Sequence, residues 1–82
     1  MAKIRSFEFR PAAAQAHPTE VDATWAVVGT APDALVQIST YGSDSRQSHP
    51  KVSQTIQIDE ATAAQLIDVL VDTFGEGVSR RR

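Results

Sequence analysis

Eighty-two residues carry eight Lys or Arg against ten Asp or Glu, a net charge of −2, and no cysteine. That length is one domain. The missing cysteines exclude a disulfide framework or a thiolate metal site, and the slightly acidic balance does not advertise nucleic-acid binding. No apolar run approaches the roughly 18–20 residues of a membrane span. Lys3 and Arg5 are followed by no apolar stretch of the kind a secretory signal needs. The expectation is a soluble, cytoplasmic chain with no membrane partner.

In chain order, Ile4 to Phe9 reads as a first strand, with Lys3, Arg5, Phe7 and Phe9 on one parity. Pro11 to Glu20 holds an Ala-rich stretch between two prolines, too short for an independent helix, and reads as a loop. Thr24 to Val28 is rich in β-branched and aromatic residues and predicts a second strand. Gly29 to Asp33 supplies the turn chemistry that leads into a third strand, Ala34 to Tyr41. Gly42 to Pro50 is a polar loop. Val52 to Ile58 then alternates as a half-buried fourth strand, with Val52, Ile56 and Ile58 sharing a face with Gln54.

The last element is the clearest. Asp59 is a natural N-cap, Glu60 suits the positive end of the helix dipole, and Ala63, Leu66, Ile67, Leu70 and Phe74 recur at helical spacing. Gln65, Asp68 and Asp72 fall on the other side, and Gly75 supplies the stop. A helix over Glu60 to Phe74 follows. Residues 59–79 hold five acidic residues and no Lys or Arg, whereas the chain closes on Arg80 to Arg82. Residues 1–77 are expected to form the domain, and 78–82 a disordered basic tail.

The fold class is α+β: a four-stranded antiparallel sheet in meander order, followed by one C-terminal amphipathic helix packed on one face. The hairpin strands read as apolar on both faces, with Trp25, Val27 and Leu35 on one and Ala26, Val28, Val36 and Ile38 on the other. One helix covers one face only, so a homodimer or another partner is expected to cover the second.

Leu35 to Tyr41, the polar loop after it, Thr55-Ile56-Gln57-Ile58-Asp59 and the helix with Leu66 and Leu70 together resemble the DNA-binding domain of the positive-cofactor-four transcriptional coactivators. The resemblance spans Thr24 to Leu70. It implies a dimer and the binding of single-stranded nucleic acid across sheet and loop. Members of that family carry several Lys and Arg in these elements. This chain has Gln37, Ser39, Thr40 and Gln57 in the strands, and Arg46, Lys51 and His49 in or beside the loop.

Two functions follow as expectations, both non-enzymatic. In the first, Trp25 and Tyr41 stack bases, Arg46, Lys51, Lys3 and Arg5 pair with phosphates, and the Arg80 to Arg82 tail assists. In the second, the chain is a protein-interaction or homodimerisation module without a nucleic-acid ligand, which the acidic helix and the neutral strands favour. The hydroxyl- and amide-rich pair formed by Gln37, Ser39 and Thr40 with Ser53, Thr55 and Gln57 is a solvent-facing surface or a polar recognition surface. Ser43, Asp44, Ser45, Ser48 and His49 share one loop, without the rigid concave scaffold a triad needs. His17 and His49 lack a carboxylate at ligand spacing, and Asp68, Asp72 and Glu76 read as a solvated helix face. No cofactor or metal is expected.

Overall fold

The computed structural model describes residues 1–42 and 51–80. It contains β1 (Ala2–Lys3), β2 (Ala23–Val28), β3 (Leu35–Tyr41), β4 (Val52–Ile58) and α1 (Glu60–Phe74), with a short 3₁₀ turn at Glu76–Arg80. The sheet order is β1-β4-β3-β2. β2 pairs with β3 and β3 with β4 antiparallel, whereas β1 pairs with β4 in parallel.

The sheet is therefore mixed and not purely antiparallel, and its order is not a simple meander. The first strand is also not where alternation placed it. Ala2 and Lys3 pair with Ile56 and Gln57, and the Ile4 N–H donates to Gln57 O at 2.9 Å. Beyond Ile4 the chain leaves the ladder. The long connection from Ile4 to Asp22 is what permits this. A meander needs short hairpin turns, whereas a connection of this length can carry the chain from one edge of the sheet to the other.

β2 and β3 form the expected hairpin, from Ala23↔Thr40 to Val28↔Leu35. Its loop opens at Gly29, whose φ of 78° lies in the region that favours glycine, and the Asp33 N–H closes a turn on Thr30 O at 3.0 Å. A register shift between Thr40 and Tyr41 bends the far end of the β3–β4 pair.

α1 begins where its cap predicts. Asp59 is extended (φ −92°, ψ 179°), its Oδ1 accepts from the Thr62 N–H at 2.9 Å, and its carbonyl accepts the first helical bond from Ala63 at 2.9 Å. Lys3 Nζ lies 3.4 Å from Asp59 Oδ2, which ties β1 to the helix start. The Thr62 N–H, with a smaller contribution from Lys3, holds the Asp59 carboxyl below its ordinary value. A lowered value means that the cap contributes in full above the ordinary carboxylate range and is lost as pH falls through the folded-state value. Asp59→Ala is expected to lower the melting temperature at neutral pH by a few degrees. Asp59→Asn keeps an acceptor and should hold the neutral-pH value while flattening the acid limb. Thermal melts followed by circular dichroism from neutral to acid pH check both.

The helix ends at Gly75, whose N–H donates to Val71 O at 2.8 Å. Its φ of 90° lies in the region that favours glycine, with ψ extended at 165°. The expected tail starts inside the 3₁₀ turn, where Ser79 Oγ donates to Glu76 O at 2.9 Å; Arg81 and Arg82 lie outside the described residues.

The helix does not lie packed on the sheet. Its apolar stripe stays open, with Ile67 56% and Phe74 70% exposed and Leu70 exposed beside them. Only Ala63, Leu66 and Val71 are half-buried, and Thr62 is buried. The reason is the connection. A single residue, Asp59, separates β4 from α1, and it is engaged by both Thr62 and Lys3. Strand-to-helix loops that turn a helix back over its sheet usually need two to six residues. Among the described residues Ile58 is the one buried hydrophobic side chain.

Candidate interaction site

The registers assign every strand residue to a face, because directly paired residues point to the same side of a sheet. One face carries the row Trp25, Ile38, Ile56 and Ala2, flanked on one side by Val27, Val36 and Ile58 and on the other by Ala23, Thr40 and Gln54. The other carries Thr24, Ser39 and Thr55, then Ala26, Gln37, Gln57 and Lys3, with Val28 and Leu35 at the hairpin end. This corrects the expected division: Val36 and Ile38 join Trp25 and Val27, and Leu35 joins Val28. The apolar character is concentrated on one face.

The polar face satisfies itself. Ser39 Oγ and Thr55 Oγ1 are 3.2 Å apart, and the Gln57 amide donates to Gln37 Oε1 at 2.9 Å. At the bent end, Thr40 belongs by register to the Trp25 face, and its Oγ1 lies 3.0 Å from Ser53 Oγ. Ser39 is buried although it is polar, which its partner hydroxyl explains.

The apolar face is open around Trp25 and closed at its Ile58 end. Trp25 is 73% and Val27 60% exposed, Ile56 is exposed, and Val36 and Ile38 are half-buried between them. An indole bordered by Ile38, Val27 and Val36 and left to solvent is the pattern of an interaction surface.

Among the described residues, those expected to hold a nucleic-acid strand lie apart. Tyr41 is half-buried and its hydroxyl lies 3.0 Å from Thr24 Oγ1, so it belongs to the face opposite Trp25. Lys3 is also on that opposite face, in the row of Gln57, and paired with Asp59. Arg5 is exposed beyond the end of β1, and Lys51 is exposed just before β4, where its carbonyl accepts from the Gly42 N–H at 3.4 Å. Arg46 lies outside the described residues, as do Ser43, Asp44, Ser45, Ser48 and His49. His17 is described, and its Nδ1 accepts from the Thr19 N–H at 3.1 Å. Among the described residues no group of three His, Cys, Asp or Glu side chains could hold a metal ion.

One cleft, of about 490 Å³, lies between Phe7 to Arg10 on one side and Gln65, Asp68 and Val69 on the other. The N-terminal segment thus runs beside the helix flank expected to be solvated, where the Gln65 amide lies 3.5 Å from Phe7 O. The cleft offers no serine, cysteine or histidine. Among the described residues no helix is long and apolar enough to cross a membrane.

No family model, curated protein or solved structure matches the chain.

Of the residues in the open patch, the sequence points to Trp25 as a site residue and to Val27 on its face, but places Val36 and Ile38 on the opposite face. The signal that unites them is the hairpin register. Once Val28 is opposite Leu35, alternation puts Val27, Val36 and Ile38 on the side of the indole, and the β3–β4 register adds Ile56.

Proposed function

We propose that this chain is a non-enzymatic, cytoplasmic interaction module whose open sheet face, centred on Trp25, associates with a second copy of the chain. The observation that carries the reading is the uncovered row Trp25, Ile38 and Ile56, flanked by Val27 and Val36. Interface centres are enriched in aromatic residues and depleted of charge, which is the composition of this patch. Small domains also bury too little of their own surface to be strongly stable alone. Sedimentation equilibrium of the full chain over a wide concentration range tests it. A mass rising to twice that of the chain supports the reading, and a monomer throughout overturns it.

A second reading, single-stranded nucleic-acid binding of the coactivator type, draws on one observation. An exposed indole on an open sheet can stack a base for about 1–3 kcal/mol. Against it, Lys3 and Tyr41 lie on the other face, and α1 carries acidic residues that repel phosphates. A labelled single-stranded oligonucleotide titrated at low salt is expected to give no saturable change in polarisation. Saturable binding that weakens with salt and quenches Trp25 would favour the second reading instead.

A further inference from the structure

We propose that α1 of one copy lies across the apolar sheet face of its partner, and reciprocally, so that each helix supplies in trans the cover its own sheet lacks. This rests on the reading of the sheet face as a self-association surface and names the element that occupies it.

Two apolar faces stand open on the same chain. One is the sheet face around Trp25; the other is the α1 stripe of Ile67, Leu70 and Phe74. Each is the kind of face that layered domains bury against the other, helix on sheet. Within one chain they do not meet, because Asp59 alone joins β4 to α1 and is itself fixed by Thr62 and Lys3. A second copy brings the same pair of faces with no such tether.

The dimensions agree. The 15-residue helix is about 22 Å long at 1.5 Å per residue. The seven-residue strands β3 and β4 run about 23 Å at 3.3 Å per residue. One helix therefore spans the sheet along its strands.

The surface area points the same way. The chain exposes 7534 Å², against about 4800 Å² expected from the scaling of folded monomers at its mass of 8.9 kDa. Its radius of gyration of 14.9 Å likewise exceeds the roughly 11.7 Å expected of a compact chain of 82 residues. Part of the excess is the exposed connection ahead of β2, and part falls outside the described residues; the exposed side chains of the two faces are the share a partner would remove. A stable interface needs about 800 Å² from each partner, well under the total excess.

Symmetry closes the arrangement. Helix on sheet in both directions is related by a two-fold axis, so a dimer satisfies all four faces and leaves nothing to propagate.

The chain has no cysteine, so introduced cysteines are the only thiols. Val27→Cys and Ile67→Cys are made separately, mixed before refolding and oxidised mildly. The proposal expects several-fold more disulfide-linked Val27→Cys/Ile67→Cys heterodimer than either variant forms alone. Efficient cross-linking of Val27→Cys to itself would mean sheets packed face to face, and of Ile67→Cys to itself helices packed together. Either outcome overturns the helix exchange while leaving self-association standing.

The lone tryptophan gives a second, independent readout. Trp25 emission of the wild type is expected to shift to the red on dilution, as the dimer separates. Leu70→Lys, on the helix, should give red-shifted emission and a monomer mass at every concentration, with helix content retained. Wild-type emission and dimer mass in Leu70→Lys would overturn the exchange. A wild type that remains monomeric, with emission unchanged on dilution, would overturn the self-association reading and the exchange with it.

Discussion

Trp25→Lys is expected to weaken self-association by at least about 2 kcal/mol, roughly 30-fold in Kd, and to leave a monomer at concentrations where the wild type is dimeric. Two effects add. The truncation removes the largest apolar side chain of the open face, and tryptophans at the centres of interfaces are commonly the residues on which binding depends most. The ammonium group then opposes reassembly, because closing an apolar face over an unpaired charge is costly. The chain's own fold should tolerate the change, since Trp25 is 73% exposed and sits on an edge strand that Lys suits. Trp25→Phe keeps an aromatic anchor and should retain most of the affinity. Sedimentation equilibrium on the three proteins, with circular dichroism as the check on folding, decides the matter. If Trp25→Lys associates as tightly as the wild type, the open face is not the interface.

What was legible in the sequence follows physical range. α1 is the clearest case, because its signals are local. Asp59 caps the backbone three residues on, Gly75 breaks the helix, and the period of the apolar residues lies within the element. The strand Val52–Ile58 was equally legible from its alternation, and β2 and β3 were misplaced by one residue at one end each. β1 was not legible: two residues carry no period, and their partners lie more than fifty positions away. The division of the faces needed the hairpin register, a long-range fact, so Leu35 was assigned to the face of Trp25 and Val36 and Ile38 to the opposite one. The same limit explains the site. Trp25 was singled out by its chemistry, but that Tyr41 and Lys3 lie on the other side of the sheet depends on pairing. The helix cover is the most instructive difference. An apolar stripe indicates that a helix has a face to bury; it does not indicate against which chain. The one-residue link at Asp59 was visible in the sequence, and it is the feature that argues against cover from within the same chain.

Ile58→Ala is the second large effect expected, and it separates the fold of one chain from its assembly. Ile58 is 8% exposed, sits opposite Val36 at the end of β4, and leads directly into the Asp59 cap. Removing a buried isoleucine to alanine typically costs about 2–5 kcal/mol. A small domain has about 5–15 kcal/mol in all, and one that buries so little of its apolar surface belongs at the low end. The variant is therefore expected to be largely unfolded at low concentration. If assembly supplies part of the stability, concentration should restore some of it, since binding that occurs only in the folded state raises apparent stability by mass action. Urea titrations of wild type and Ile58→Ala, each at two concentrations a hundredfold apart, measure this directly. The expected result is a midpoint that rises with concentration for both proteins, with a similar slope of the transition. Ile58→Val, at about 0.5–1.5 kcal/mol, should shift the midpoint less and remain folded at both. A wild-type midpoint independent of concentration would mean that the single chain is fully stable with its sheet and helix faces open.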